Sequence, residues 1–185
     1  MEKLSFSGGG PDLIRDTEDI LQSLEQYREA LQDYNKKLEE DPENVDAWVN
    51  KGTVHFILEQ YDEALIAYDK ALAINPDDAM AWNNKGTVLN VLERYEEAVL
   101  ACDNAIKLMP DYADPWNNKG NALNHLERYD DALIALSRAI QIDPQYADAW
   151  SSKAFTLNFL DRHDEALKAF DMAIQIESAF DYSKQ

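Results

Sequence analysis

The sequence predicts an all-α protein, a right-handed solenoid built from helix–turn–helix repeats. Four tryptophans stand at a fixed interval of 34 residues: Trp48, Trp82, Trp116 and Trp150. Each interval holds two stretches of about fourteen residues with apolar side chains at helical spacing, each long enough for a helix of roughly 20 Å. Because proline cannot continue a helix, prolines mark the ends of repeats: Pro42, Pro76, Pro110 and Pro144. One hairpin cannot bury both of its apolar faces, so we expect the hairpins to stack.

The same interval divides the chain into segments. The clear repeats are residues 45–78, 79–112, 113–146 and 147–180. Residues 24–38 match residues 58–72 at ten of fifteen positions. We therefore predict that residues 11–44 form a degenerate N-terminal hairpin, whose first half has lost the tryptophan and the glycine. Residues 1–10 include a run of three glycines and are expected to be a flexible lead-in, and residues 181–185 are a short tail.

Small residues occupy positions where the helices are expected to approach closely. The middle of each first helix carries one of them: Gly52, Gly86, Gly120 and Ala154. Glycine costs about 1 kcal/mol relative to alanine inside a helix, so close packing should offset that cost. The expected facing residues in the second helices are Ala64, Ala98, Ala132 and Ala166. The next repeat is expected to cover a further set: Ala71, Ala105, Ala139 and Ala173.

Composition limits the classes of partner. The formal net charge is −19, which argues against nucleic acid or an anionic membrane and favours a basic or neutral protein or peptide ligand. Cys102 is the only cysteine, so we expect no intramolecular disulfide and no cysteine metal cluster, and we expect this side chain to be buried packing. The N-terminus has no long apolar run, so no signal peptide or membrane span is expected, and the cytoplasm is the expected compartment.

The sequence lacks the motifs of enzymes. The histidines His55, His125 and His163 belong to different repeats and stand at different offsets from the tryptophans. There is no nucleophile elbow, no glycine-rich phosphate loop and no spaced set of metal ligands. We therefore predict a binding protein that is not an enzyme and uses no cofactor and no metal.

The residues of one repeat follow a specific order. The second repeat shows it fully: Trp82, Gly86, Tyr95, Ala98, Ala105 and Pro110. This pattern resembles the tetratricopeptide repeat of prokaryotic-type tandem arrays, over residues 45–180 and partly over residues 11–44. The chain departs from the family pattern in having lysine before the glycine and Glu or Asp at the usual turn glycine. The last repeat also has Ala154 for glycine and Ser178 for proline.

The resemblance implies that the first helices line a concave groove. Three asparagines stand two residues after their tryptophans: Asn50, Asn84 and Asn118. A side-chain amide offers both a donor and an acceptor, so this row can bond the backbone of an extended peptide. With helices about 10 Å apart and a chain that advances roughly 3.3 Å per residue, one asparagine would meet about every third peptide residue. The row is similar to the asparagine ladder of tetratricopeptide proteins that hold extended peptides.

The resemblance also implies further groove residues at set offsets from each tryptophan. Beside the three asparagines, the predicted peptide-binding set is Thr53, Asn83, Thr87, Asn90, Asn117, Asn121, Asn124 and His125. The fourth repeat offers six residues at such offsets, and its ladder position is a serine: Asp148, Ser151, Ser152, Phe155, Asn158 and Phe159. A second interpretation of the asparagines stays open, in which they are solvated or helix-capping polar residues, or simply family consensus.

Other positions have simpler expected roles. The carboxylate clamp of some tetratricopeptide proteins is not expected, because Val49, Asp114 and Asn118 fill its cationic offsets. Lysines before the small residues are expected to be salt-bridged edge residues: Lys51, Lys85, Lys119 and Lys153. Aspartates at the starts of first helices are expected to cap them: Asp46, Asp114 and Asp148. The last hairpin should expose a patch around Ala173 and Ile174, so self-association, or a place in a longer array, is the alternative function.

Overall fold

The computed structural model describes residues 11–182, and these form helices and no strand. In chain order the helices are α1 (Pro11–Glu40), α2 (Val45–Ile57), α3 (Tyr61–Ile74), α4 (Ala79–Val91), α5 (Tyr95–Leu108), α6 (Ala113–His125), α7 (Tyr129–Ile142), α8 (Ala147–Phe159) and α9 (His163–Tyr182). The expected flexible lead-in lies outside the described residues, as do residues 183–185 of the expected tail. The first two residues of that tail belong to α9.

The helices from α2 onward stack as four hairpins. The pairs α2–α3, α4–α5, α6–α7 and α8–α9 pack together, and each second helix packs on the first helix of the next hairpin. The first helices α2, α4, α6 and α8 also contact one another in succession, whereas over residues 11–182 the second helices do not. The first helices therefore lie on the inner, concave side, which confirms the predicted all-α solenoid.

Small and aliphatic side chains fill the space between the helices. A large cluster joins the first three hairpins: Ala64, Leu65, Tyr68, Val88, Leu89, Ala98, Ala101 and Ala122. Cys102 is fully buried as a free thiol, and burial raises its pKa to about 12. This confirms the expected packing role, because a thiol with so high a pKa is neither a nucleophile nor a ready metal ligand near neutral pH.

The hairpin turns place acidic residues in the left-handed backbone region. Four residues have φ between 56° and 59°: Glu59, Glu93, Glu127 and Asp161. Around Glu93, its own N–H donates to the Asn90 carbonyl (3.1 Å). The next N–H, of Arg94, donates to the Leu89 carbonyl (2.9 Å), which completes the Schellman motif. A side chain in this region costs about 1–2 kcal/mol, so the turn forms only where packing of the two helices offsets the cost.

The N-terminal hairpin predicted for residues 11–44 is wrong, because Pro11–Glu40 is one continuous helix. The tetrapeptide Leu-Glu-Gln-Tyr makes the hairpin turn at residues 58–61 but stays helical at residues 24–27. The segment before residue 24 lacks the tryptophan and glycine that let a first helix pack on a second. Nothing therefore offsets the strain of the turn, and the helix continues.

The mid-helix glycines face a different position from the predicted alanines. The nearest side chains to Gly52, Gly86 and Gly120 are those of Tyr68, Cys102 and Leu136. A Cβ at Gly120 would lie 2.5 Å from Leu136 Cγ, closer than any real contact. These partners stand four residues after the alanines predicted to face the glycines. They therefore lie on the same helical face, one turn further along.

The last hairpin is uncovered on its outer side, but not where the sequence predicts. Ala173 is buried against α8, although no further repeat follows within residues 11–182, so its predicted exposure is wrong. Ala139 stands at the same position one repeat earlier, and it clusters with Trp116 of its own hairpin as well as with Ala149 of the next. The hairpin itself therefore covers this position, even where no further repeat packs on it. Ile174 is exposed, as predicted. Phe170 is also exposed, whereas the residues at its position in earlier repeats are buried: Tyr68, Cys102 and Leu136.

The edge lysines cover the tryptophans. Each ammonium lies 5.2–5.9 Å from the centroid of the tryptophan three residues before it. Lys85 pairs with Asp69 (2.6 Å) and Lys119 with Asp103 (2.5 Å), which confirms the edge salt bridges at these two repeats. Lys51 bonds an amide, Asn35 Oδ1, instead. No carboxylate pairs with Lys153 within the described residues, since a serine stands at the corresponding position 137.

The N-caps lie two positions before the predicted aspartates. Asn44 Oδ1 accepts from the Ala47 N–H (2.9 Å), and Asp78 Oδ1 accepts from the Ala81 N–H (2.9 Å). The predicted capping role is therefore wrong for Asp46, Asp114 and Asp148, which lie inside the first turn. There a carboxylate still interacts favourably with the helix dipole.

Candidate functional site

The first two asparagines of the predicted ladder carry unengaged side chains. Asn50 on α2 is exposed and Asn84 on α4 is half-buried. Neither amide forms a hydrogen bond to another described residue. Both stand on first helices, which form the concave side. Each can therefore offer one carbonyl oxygen and two N–H donors to a molecule in the groove.

The third asparagine of the ladder is tied to the preceding repeat. The Asn118 amide donates to Asn83 Oδ1 (2.9 Å) and to Thr87 Oγ1 (3.0 Å). Its backbone carbonyl accepts from Asn90 Nδ2 (2.9 Å). Both N–H groups of this side chain are used inside the protein, so Asn118 joins α4 to α6 and differs from Asn50 and Asn84 in what it can offer.

Three residues of the predicted binding set are buried between first helices, which corrects their placement on the groove surface. Asn83 is 5% exposed and donates to the Tyr112 hydroxyl (3.2 Å). Asn117 is 4% exposed and donates to the Tyr146 hydroxyl (3.5 Å). Asn124 is 7% exposed and accepts from Thr156 (2.9 Å). Consecutive helical residues point about 100° apart, so adjacent asparagines cannot both face the groove.

The remaining predicted residues divide in the same way. Thr53 Oγ1 bonds the Val49 carbonyl and the Tyr68 hydroxyl (both 3.1 Å), and Thr87 Oγ1 bonds the Asn83 carbonyl (3.2 Å). These threonines are half-buried and engaged. Asn90 bonds the Asn118 carbonyl, and its own Oδ1 is buried without a partner in the described structure.

Asn121 and His125 on α6 are more accessible to a ligand. Asn121 is half-buried, and its amide bonds no described residue. His125 is exposed and stacks on Tyr95, with ring centroids 4.4 Å apart and planes at 2°. At the same position of the next repeat, Phe159 stacks on Tyr129 at 4.9 Å. The ends of the first helices thus present flat aromatic surfaces beside the amides.

A pocket of about 370 Å³ opens between α6 and α8. It is lined by Asn121, Asn124, His125, Ser151, Ser152 and Phe155. All six belong to first helices, so the pocket lies on the concave side. Phe155 is 53% exposed and leans on Phe159, with centroids 4.7 Å apart. Three residues of the predicted binding set therefore line one pocket together with three of the six groove residues expected from the fourth repeat.

Two tyrosines near the site were missed by sequence reasoning. Tyr112 and Tyr146 precede α6 and α8, and their hydroxyls accept from Asn83 and Asn117. Burial first, and then the nearby Asp114 carboxylate, raise the pKa of Tyr112 to about 12, and the same two causes raise the pKa of Tyr146. Both hydroxyls thus stay neutral near physiological pH. The signal was present, since Tyr-Ala-Asp occurs at residues 112–114 and again at residues 146–148.

Metal sites and membrane-spanning helices are two further features that the sequence was not expected to have. No group of three or more His, Cys, Asp or Glu side chains among residues 11–182 could hold a metal ion. Within the same range, none of the helices combines the length and apolar character needed to span a lipid bilayer.

Comparison with protein families decides the relationship suggested by the tryptophan interval. The family model described as "Tetratricopeptide repeat" matches residues 45–78, 79–112 and 113–146, together more than half of the chain. The chain belongs to the tetratricopeptide repeat family. The three matched segments coincide with three of the four clear repeats expected from the sequence. A search of curated protein sequences finds no match.

Solved structures support the same fold. A crystal structure of MamA is 24% identical, with a TM-score of 0.78, and the match covers 89% of this chain and 96% of MamA. Residues 41 to the end of MamA from Desulfovibrio magneticus RS-1 give 22% identity and a TM-score of 0.77, covering 93% and 97%. YrrB, titled "a TPR protein with an unusual peptide-binding site", is 27% identical with a TM-score of 0.70, covering 90% and 88%. Together with the family match, this places the tetratricopeptide chain among protein-interaction scaffolds.

Proposed function

We propose that this tetratricopeptide protein binds an extended peptide segment in its concave groove, through the side-chain amides of Asn50, Asn84 and Asn121. One observation carries the proposal: these three amides are unengaged, while the other asparagines of the predicted set are bonded inside the protein, namely Asn83, Asn90, Asn117, Asn118 and Asn124. An amide that keeps a donor and an acceptor free on a concave surface suits recognition of a peptide backbone. In this proposal Asn121 replaces Asn118 as the third asparagine that contacts the peptide backbone.

The geometry of the array fits an extended ligand. Neighbouring first helices are about 10 Å apart and an extended chain advances roughly 3.3 Å per residue, so successive amides meet about every third peptide residue. The stacked His125–Tyr95 and Phe159–Tyr129 pairs offer apolar surface to the side chains between. YrrB, the neighbour with 27% identity, has an unusual peptide-binding site, which adds to the case.

Charge selects among peptides. The protein carries a formal net charge of −19, so long-range attraction speeds encounter with basic segments and disfavours acidic ones. We therefore propose a basic or neutral peptide, and we expect its association rate to fall as salt is added.

The test uses selected peptides and matched asparagine variants. The full chain is screened against displayed random peptides of about twelve residues, enough to span three amides. For the best peptide, Asn84→Ala with Asn121→Ala should raise the Kd about 5- to 150-fold, since each lost hydrogen-bonded amide is worth about 0.5–1.5 kcal/mol. The control is Asn104→Ala, because Asn104 is an exposed asparagine on the outer helix α5.

Fluorescence anisotropy gives the Kd, and circular dichroism confirms that each variant stays helical. An unchanged Kd in the double variant, or an equal loss in the Asn104 control, would contradict the proposed site. A failed selection, with no peptide enriched, would count against peptide binding as a whole.

Self-association is the second candidate function. The outer side of the last hairpin exposes Leu167, Phe170 and Ile174. Phe170 lines a cavity of about 390 Å³ with Phe155 and other residues of α8 and α9. A second copy that covers this surface would remove Leu167, Phe170 and Ile174 from water. Light scattering should then show a dimer that Phe170→Glu returns to monomer, and a strict monomer at high protein concentration would eliminate this candidate.

A further inference from the structure

Two junctions inside the groove are equivalent by the repeat, and they differ at one ladder position. At the α4–α6 junction, Asn118 projects back to Asn83 Oδ1 and Thr87 Oγ1 and joins the helices. At the α6–α8 junction, Ser152 stands at the ladder position, and its side chain is too short to make the same contacts. The acceptors that an asparagine would have used there belong to Asn117 and Asn121.

The α6–α8 junction is consequently open and has unused acceptors. Asn117 is 4% exposed, and its Oδ1 is buried with no hydrogen-bond partner in the described structure. By the equivalence of the repeats, this oxygen faces the position that Asn118 fills at the preceding junction. Asn121, half-buried, is also unengaged. The pocket of about 370 Å³ lies at this junction, with Phe155 as its apolar wall.

We propose that the α6–α8 pocket is a side-chain subsite that takes an arginine of the bound peptide. The subsite rests on the proposed peptide-binding function and names the residue that the groove selects. The α4–α6 junction is filled by the planar amide of Asn118, which donates two N–H groups. The α6–α8 junction has Ser152 in its place and lacks such a group. A guanidinium supplies five such donors and no acceptor.

The walls of the pocket favour guanidinium over other donor groups. A planar guanidinium stacks on aromatic faces, and both Phe155 and His125 offer such faces at the pocket. The carbonyl oxygen of Asn121, which lines the pocket, can accept from the guanidinium N–H groups. Asn117 does not line the pocket, but by the equivalence of the repeats its unpaired Oδ1 faces the side chain of Ser152, which does. The anionic protein also favours a cation. An ammonium lacks the planar fork, and an indole or a phenol has a single donor for two acceptors.

The experiment is a guest series in one host peptide. Host peptides of alanine and threonine, labelled with a fluorophore, carry a single central guest residue: arginine, citrulline, lysine, tryptophan or alanine. With the wild-type protein, the arginine peptide should bind about tenfold or more tightly than the alanine peptide, as expected for a hydrogen-bonded charged group. Citrulline keeps the planar donors without the charge and should fall between the two. Equal affinities for arginine and alanine, or tighter binding of lysine or tryptophan than of arginine, would overturn the proposal.

Ser152→Asn provides the matched variant, because it places the missing asparagine in the pocket. It should remove the preference for arginine, so that the arginine and alanine peptides bind with similar affinity, whereas Asn84→Ala should weaken every guest peptide by a similar factor. A retained arginine preference in Ser152→Asn would contradict the assignment of the pocket.

The pocket can be tested even if no host peptide binds. In that case N-acetyl-arginine amide is titrated into the wild-type protein and into Ser152→Asn, and the side-chain signals of Asn121 and Phe155 are followed by NMR. Saturable shifts in the wild type that disappear in Ser152→Asn would support the arginine subsite, even though the proposal of a peptide-binding groove had failed. The absence of shifts, or equal shifts in the two proteins, overturns the subsite itself.

Discussion

Asn118→Ser should lower the free energy of unfolding by about 1–3 kcal/mol, since the change leaves a buried acceptor unpaired. In the native protein, Asn118 donates to Asn83 Oδ1 at 2.9 Å and to Thr87 Oγ1 at 3.0 Å. Asn83 is 5% exposed, so water does not readily replace the lost donor. Urea unfolding followed by circular dichroism measures the change.

The reverse exchange provides the control. Ser152→Asn introduces the same side chain at the next junction, where Asn117 Oδ1 is buried and unpaired. We expect it to raise the free energy of unfolding by about 1 kcal/mol, the net worth of a hydrogen bond. A neutral Asn118→Ser, or a destabilising Ser152→Asn, would show that the asparagine bonds do not set the stability of these junctions.

Gly120→Ala should destabilise the array, although alanine is the better helix former by about 1 kcal/mol. The new Cβ would lie 2.5 Å from Leu136 Cγ and 2.7 Å from Leu136 Cδ2, and Leu136 is fully buried. Overpacking of this kind costs about 1–3 kcal/mol, which exceeds the gain in propensity. The midpoint of urea unfolding should therefore fall.

The repeat itself explains where alanine is tolerated. Ala154 stands at the glycine position of the fourth repeat. The residue that corresponds there to Leu136 is Phe170, whose side chain is exposed to solvent and leaves room for the alanine. In a double-mutant cycle, Leu136→Ala should cost less in the Gly120→Ala background than alone, with a coupling of about 0.5–3 kcal/mol. Additive effects, or a net gain from Gly120→Ala, would mean that the helices do not approach as closely as the structure indicates.

The fixed interval made the fold predictable from the sequence. Tryptophan, glycine and a closing proline recur every 34 residues, so each segment is predicted to form the same hairpin. A wrong assignment at one position therefore does not shift the predicted helices of the following repeats. The helix boundaries of α2 to α8 follow from it. The period fails for residues 11–44, because the turn sequence is shared with residues 58–61. Whether that sequence turns depends on the packing of the preceding helix, which is a tertiary effect.

The site was less predictable, because neighbouring asparagines differ by a rotation of about 100°. Asn83 and Asn84 are adjacent and chemically identical, yet the first is buried and the second has an unengaged amide. Asn118 and Asn84 occupy the same position of their repeats, but they differ in the residue that each faces on the preceding first helix. Asn118 faces Asn83, whose Oδ1 accepts its hydrogen bond. At the corresponding position for Asn84 stands Val49, whose side chain cannot accept one. The role of each amide is thus set by pairs of positions, and the pattern within one repeat does not reveal it.

The most direct test of the proposed groove is the response of the asparagine side-chain amides to a bound peptide. Their ¹⁵N–¹H signals are assigned by NMR and followed while the selected peptide is added to the full chain. Peptide binding in the groove predicts the largest shifts at Asn50, Asn84 and Asn121, with little change at the outer Asn104. Largest shifts at Asn104 or around the exposed Phe170, with Asn84 and Asn121 unmoved, would contradict it.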